Sequence, residues 1–326
     1  MRQRTLADGT AVSALCLGAM WFGTRTDEAT SFAILDRFVE AGGTLIDTAD
    51  NYAFWADNGA GGESEAVLGR WLADRGARDQ VVISTKVGAQ PTVPGTTWRE
   101  SGEGLSATAI RSAVEGSLRR LGTDHVDVYW AHVEDRTVPI EETVDAFASL
   151  VEQGTAAVVG ASNFALWKVE RARAVARGQG RPGYTCLQLR HSYLRPRLDV
   201  IRPDDHVFGN VDAETLDYVR SEPDMSLWAY SPLLSGTYAR TDRPLHPVYD
   251  HPGTPARRAA LREVADKVGA TPNQVVLAWL MGGDPPIIPV VGVSSVEQLD
   301  EVLGAADLEL DDELRRNLNA AGGFDR

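Results

Sequence analysis

Apolar residues along this chain occur in two patterns that take turns from about residue 15 onward. Short, nearly unbroken apolar runs fall at 15–18, 44–48, 81–87, 126–132, 156–162, 185–189, 226–231 and 287–291. Between them lie longer stretches with apolar residues every three to four positions, at 27–41, 63–73, 106–121, 140–153, 166–177, 212–220 and 254–268. The first pattern fits strands covered on both faces, and the second fits amphipathic helices. A further helix is expected over 271–281, where Pro272 follows a capping Thr271, and two more over 296–303 and 311–320. Ahead of the alternation, residues 2–6 and 11–14 flank Asp8-Gly9, a turn pair that predicts a hairpin.

Strands that alternate with helices pair in parallel through crossover connections. An open doubly wound sheet that bound a dinucleotide would carry Gly-x-Gly-x-x-Gly after its first strand. No such turn exists here; Gly59-Ala-Gly-Gly-Glu63 follows no strand and reads as a loop entering a helix. The expected fold is α/β, a single (β/α)8 barrel domain over 1–326. Its longest irregular stretches, 88–105, 190–211 and 234–255, all follow carboxyl ends of strands. That rim is where such barrels build their sites.

Three of the strand runs end in groups suited to proton transfer. Asp47 and Tyr52 close Thr44-Leu-Ile-Asp-Thr-Ala-Asp-Asn-Tyr52, Lys86 closes Val81-Val-Ile-Ser-Thr-Lys86, and His132 closes Val126-Asp-Val-Tyr-Trp-Ala-His132. Each has an ordinary structural explanation alone; three strand ends on one rim point to a shared site. A phenol stays protonated at neutral pH and can act as an acid toward a carbonyl oxygen. A cation at about 4 Å, in an effective dielectric of about 20, would favour the phenolate by roughly 4 kcal/mol. The expected division is acid Tyr52, tuner Lys86, anchor Asp47 and orienter His132.

Composition narrows the partners. With 46 Asp and Glu against 32 Lys and Arg the net charge is −14, which argues against a nucleic-acid partner. No apolar stretch is long enough to span a membrane, and the start lacks the apolar core of a signal peptide. Cys16 and Cys186 sit in apolar runs and are expected as buried reduced thiols, consistent with a cytoplasmic protein. No metal site is expected, because the six histidines show no ligand spacing.

The chain resembles the aldo-keto reductase superfamily, and its bacterial members in particular. The resemblance rests on Leu17-Gly-Ala-Met-Trp-Phe-Gly23, Ile46-Asp-Thr-Ala-Asp-Asn-Tyr52, Gly62-Glu-Ser-Glu65, Ser84-Thr-Lys86, Ser117-Leu-Arg-Arg-Leu-Gly-Thr-Asp124, Gly160-Ala-Ser-Asn-Phe164 and Tyr230-Ser-Pro-Leu233. It implies a barrel capped at its bottom by the hairpin, and a nicotinamide cofactor, usually NADPH with NADH as the alternative. It also implies hydride transfer to a small aldehyde, ketone or sugar, with Tyr52 supplying the proton. By this resemblance Ser162, Asn163 and Gln188 hold the carboxamide, Tyr230 stacks on the ring, and Gly18, Ala19, Met20 and Asp47 lie near it. Ser231, Pro232, Leu233, Ser235 and Gly236 would line the diphosphate, and Gly292, Ser294, Gln298 and Glu301 the adenosine end.

Departures from the family pattern touch both ends of the site. Many relatives carry Lys or Arg in the adenosine segment, where this chain has Ser294, Ser295 and Gln298, and Val302 replaces a frequent Asn. A 2′-phosphate wants a cation, which Arg240 or Arg243 is expected to supply. Val133-Glu-Asp135 follows His132, and His191 stands where a Tyr is frequent. Trp21, Trp55, Trp98 and Tyr193 are the candidates for a substrate wall. Two other readings remain open at the sequence level. One is a cofactor-binding regulatory protein like potassium-channel beta subunits; the other is a lyase or isomerase using Lys86 as a Schiff base.

Overall fold

A computed structural model describes residues 1–57, 59–197, 199–200, 206, 208–240, 242 and 244–323. The chain opens with the antiparallel pair β1 (Gln3–Thr5) and β2 (Ala11–Ser13). Eight parallel strands follow: β3 (Cys16–Gly18), β4 (Leu45–Asp47), β5 (Val82–Val87), β6 (Val126–Ala131), β7 (Ala156–Ser162), β8 (Tyr184–Arg190), β9 (Ser226–Tyr230) and β10 (Ile287–Gly292). They close into a barrel in chain order, with β10 returning to pair with β3. The alternating sequence pattern thus becomes the expected (β/α)8 barrel.

Around it lie α1 (Glu28–Glu40), α2 (Glu63–Arg75), α4 (Ala107–Leu121), α5 (Ile140–Glu152), α6 (Leu166–Gln179), α7 (Ala213–Ser221), α8 (Gly253–Val268), α9 (Pro272–Met281), α10 (Val296–Leu303) and α11 (Asp312–Ala320), with a short α3 (Trp98–Ser101) in a rim loop. Their starts follow capping chemistry. The Asp27 carboxylate accepts the Thr30 N–H at 2.8 Å, and Thr271 and Gln274 form a reciprocal box ahead of Pro272. The sequence reading missed α3, whose single turn is held by Glu100 accepting from Thr97 N–H at 2.8 Å. One turn is too short to leave a periodic apolar signal.

The apolar residues divide into two cores. The larger fills the space between helices and strands. The smaller is the barrel interior, formed by inward side chains such as Cys16, Leu45, Val128, Trp130, Cys186, Trp228 and Ile288. Leu6 and Val12 of the hairpin join this inner cluster, so the hairpin stops the barrel from below. Both cysteines are buried and unpaired. Trp130 and Trp228 meet edge to face in the lumen with ring centroids 5.0 Å apart. Gly160 on β7 makes room for them: a methyl there would lie 2.5 Å from the Trp130 ring and 2.7 Å from the Cys186 carbonyl.

Gly160→Ala should therefore lower stability by about 1–3 kcal/mol through overpacking, read as a fall in the denaturant midpoint at unchanged slope. An unchanged midpoint would show that the lumen tolerates the extra methyl.

Candidate active site

Register brings the chemistry together. Asp47 is the last residue of β4 and pairs with Ser84 of β5, while Gly18 of β3 lies between Asp47 and Gly292. Lys86 is two residues beyond Ser84, so both side chains point into the barrel mouth. Lys86 and Asp47 are fully buried, and their Nζ and Oδ2 are 2.5 Å apart. The ammonium also donates to the Thr48 carbonyl at 2.7 Å and to the Tyr52 hydroxyl at 2.9 Å. Its three protons are all taken.

Asp47 is held from its other side. Ser84 Oγ donates to Oδ1, Gln188 Nε2 donates to the same oxygen at 3.3 Å, and Trp130 Nε1 donates to Ser84 Oγ at 3.0 Å. A buried ion pair is favourable only when its remaining lone pairs and protons are satisfied in this way. Ser84 was missed in the sequence, although its period of two with Lys86 carried the signal.

The electrostatics assign protonation states. Burial acts to depress the Lys86 ammonium, but the charges of Asp47 and Tyr52 outweigh it and raise it. The Tyr52 phenol lies above its usual range: burial raises it most, Lys86 opposes, and Asp47 adds to the rise. This corrects the expectation that Lys86 draws the phenol toward its ionised form; desolvation wins. Because the Tyr52 oxygen accepts from Lys86, its own proton points outward as a donor. His132 follows β6, with its ring centroid 5.9 Å from that of Tyr52 at 77°. Burial, then Lys86 and His206, push its imidazole well below the usual value, so it is neutral. Its Nδ1 has no partner among the described residues.

The surrounding candidates fall into groups. Tyr230 ends β9 and donates to Asn163 Oδ1 at 2.8 Å; Asn163 Nδ2 donates to the His132 carbonyl and to Ser162 Oγ, both at 3.0 Å. Asn163 (φ 58), Ser231 (φ 54), Leu234 (φ 49) and Ser235 (φ 59) all have left-handed backbones. Strain of this kind collects at functional rims. Leu233, in the bridge region, precedes left-handed Leu234 and Ser235. The turn closes on itself, the Leu234 N–H donating to the Ser231 carbonyl at 3.2 Å and the Gly236 N–H to the Leu233 carbonyl at 2.9 Å. Pro232 lies within this turn, its carbonyl accepting from Ser192 Oγ at 2.5 Å. Ala19 is buried at the foot of the rim, its N–H donating to the Asp47 carbonyl at 2.9 Å, and Met20 is half-buried beside it.

At the far end, a methyl on Gly292 would meet only the Gly18 carbonyl at 3.7 Å, and one on Gly236 only Arg240 Cδ at 3.6 Å, so both faces are open. Ser294 donates its N–H to Gln298 Oε1 at 3.0 Å. Glu301 is engaged with α9, accepting from Thr271 Oγ1 at 2.8 Å and Asn273 Nδ2 at 3.1 Å. Arg240 is exposed and forked onto Asp242 at 2.6 and 3.0 Å. Arg243 lies outside the described residues.

Three of the aromatic candidates stand on the rim. Trp21 and Trp55 meet edge to face at 5.9 Å, and Trp55 lies 6.3 Å from the Tyr52 ring with 43% of its surface exposed. Trp98 on α3 stacks on His206 at 4.8 Å. Tyr193 requires a correction. It is fully buried, donates to the Leu318 carbonyl at 2.9 Å, and packs against Trp279, so it braces the C-terminal helices and faces no substrate.

His132, neutral when folded, binds a proton less well than in the unfolded chain. Its contribution to stability is thus present above the ordinary value of 6.5 and lost as pH falls below it. An NMR titration should show this imidazole staying neutral well below its ordinary range. A midpoint near 6.5 would place it in water and away from Lys86.

The chain is similar in sequence to known proteins over nearly its whole length. Residues 14–321 match the profile described as the Aldo/keto reductase family. The chain is 33% identical to the uncharacterised oxidoreductase YrpG of Bacillus subtilis, over 95% of this chain and 92% of that protein. It is 31% identical to norsolorinic acid reductase stcV of Emericella nidulans, over 94% and 77% of the two chains. With aryl-alcohol dehydrogenase GME11368 of Pestalotiopsis microspora it shares 29% identity over 99% and 83%.

Proposed function

We propose that this chain, which belongs to the aldo/keto reductase family and is an NAD(P)H-dependent oxidoreductase, reduces aldehydes or ketones with NADPH, using Tyr52 as general acid. The observation that carries the reading is the Tyr52 hydroxyl: it accepts from Lys86, whose other two protons go to Asp47 and Thr48. That fixes the phenol as a donor aimed away from the pair. The neutral His132 beside it can hydrogen-bond the same substrate oxygen without competing as a stronger acid.

The residues present fit a nicotinamide dinucleotide. Tyr230 offers a flat platform, Ser162, Asn163 and Gln188 offer amide and hydroxyl groups for a carboxamide, and the small residues Ser231, Ser235 and Gly236 let a diphosphate come close to the backbone. Open space at Gly292 allows close backbone approach. When bound, the reduced nicotinamide supplies the hydride. The protein's own part is to hold the carbonyl oxygen between Tyr52 and His132, deliver the Tyr52 proton as charge develops there, and keep Lys86 charged. A Schiff-base role for Lys86 is not favoured, because that chemistry needs a free neutral amine and this one is charged with every proton donated.

For substrate we infer carbonyls attached to flat aromatic systems ahead of sugars. Trp55 and Trp21 form an edge-to-face wall beside Tyr52, and a wall of this kind favours aromatic faces over hydroxyl-rich rings. The names of the norsolorinic acid reductase and aryl-alcohol dehydrogenase relatives agree in kind. The buried, unpaired cysteines support a reducing, cytoplasmic setting, and no helix among the described residues is long and apolar enough to cross a membrane.

Tyr52→Phe should cut kcat for an aromatic aldehyde by about 10² or more while leaving NADPH affinity, read by fluorescence titration, near wild type. Turnover close to wild type would remove Tyr52 from its role. Arg240→Ala should weaken NADPH by roughly tenfold and NADH little, the size of one charge-assisted contact. Equal losses for both would show that Arg240 does not read the 2′-phosphate.

A further inference from the structure

Two of the long rim loops are rooted on the backbone of His132. The arm that follows β5 starts where the Val87 carbonyl accepts the His132 N–H at 2.8 Å. The loop that follows β8 returns at Gly209, where a methyl would lie 2.8 Å from Asn163 Oδ1. Asn163 in turn donates to the His132 carbonyl at 3.0 Å. Beyond these roots the two loops meet again. Trp98 on α3 stacks on His206, ring centroids 4.8 Å apart and planes 27° from parallel.

Both partners of the stack are braced. The arm pairs with itself: Pro91 bridges Gly102, the Thr92 N–H donates to the Ser101 carbonyl at 2.8 Å, and the Glu103 N–H donates to the Gln90 carbonyl at 2.9 Å. At its tip the Glu100 carboxylate accepts from the Thr97 N–H at 2.8 Å and the Thr97 hydroxyl at 2.9 Å, which fixes the turn that bears Trp98. The Arg99 guanidinium lies 4.9 Å from the Trp98 ring. The loop after β8 is closed at its base by Arg190, whose N–H donates to the Gly209 carbonyl and whose carbonyl accepts the Val211 N–H at 3.0 Å. His206 is half-buried; burial first, then Arg99 and Arg190, push its imidazole down to about 4. At neutral pH it is a flat, uncharged ring.

In the barrel β5 and β8 are separated by β6 and β7. The stack therefore joins the two sides of the arc that carries His132 and Ser162. On the arc of β3 and β4 stand Trp21 and Trp55, 5.9 Å apart, with Trp55 6.3 Å from the Tyr52 ring. Tyr52 and His132, 5.9 Å apart, thus have an aromatic pair on each flank.

We propose that the Trp98–His206 stack is a second aromatic wall, and that His206 is a specificity-determining residue selecting flat aromatic carbonyls over branched aliphatic ones. The substrate part of this inference rests on the reductase reading. A flat ring entering between the walls gains contacts with both pairs. A branched group is thicker, and to enter it must part a stack whose two loops are held at their roots.

NMR and kinetics together test it. The His206 C2–H resonance, assigned by its loss in His206→Ala, should lie upfield under the Trp98 ring and return to its ordinary position in Trp98→Leu. Steady-state kcat/KM is then compared for 2-naphthaldehyde and pivaldehyde. His206→Ala should lower the naphthaldehyde-over-pivaldehyde ratio by about fivefold, the size of one aromatic pair, mainly through KM. His206→Phe, one flat ring for another, should restore the ratio, which a merely structural role would not explain. An unchanged ratio in His206→Ala, equal losses for both aldehydes, or no rescue by His206→Phe would overturn the selecting role. An unshifted wild-type resonance would overturn the wall itself. Should His206→Ala fail to fold, Trp98→Leu carries the same comparison. A chain that reduced neither aldehyde would sink the reductase reading and the selecting role with it, while the resonance would still decide the wall.

Discussion

The contact between Lys86 and Asp47 is a pair of opposite charges sealed at the mouth of a barrel, and the site is organised around it. Desolvating two such groups costs several kcal/mol each, and only near-complete hydrogen bonding offsets that. Here the ammonium has Asp47, the Thr48 carbonyl and Tyr52, while the carboxylate has Ser84 and Gln188. Removing either partner would strand a buried charge, at a cost of about 3–5 kcal/mol. The strands that supply the pair are neighbours in the barrel, and β4 contributes its final residue. The rim is therefore a strict consequence of register.

From that pair the support runs down into the lumen and the chemistry runs outward. Below, Trp130 donates to Ser84 and packs on Trp228, which the absence of a side chain at Gly160 permits. Above, one local field and one shared loss of water give three neighbours three different states. Lys86 stays charged, Tyr52 keeps its proton, and His132 stays neutral. On the proposed reading these are the acid, the neutral hydrogen-bonding partner and the fixed cation that carbonyl reduction asks of a protein. Tyr230, Asn163 and the His132 carbonyl link the aromatic platform to this set through two hydrogen bonds.

Much of this was legible in the sequence because barrels are periodic. The apolar runs marked each strand to within a few residues, and the polar residue ending a run marked the rim. The four central side chains were found that way. Ser84 could have been, since it shares a face with Lys86. Tyr193 misled, because a position after a strand end says nothing about which way an aromatic turns; its hydroxyl found a carbonyl on α11 and its ring found Trp279. The one-turn α3 left no periodic trace.

The proposed reading needs one nicotinamide ring at one point. The most direct measurement is a crystal structure of the chain with NADP⁺ bound. The account predicts the nicotinamide lying on Tyr230, its reactive carbon facing the cleft between the Tyr52 hydroxyl and His132. A dinucleotide bound elsewhere, or a nicotinamide turned away from Tyr52, would contradict it.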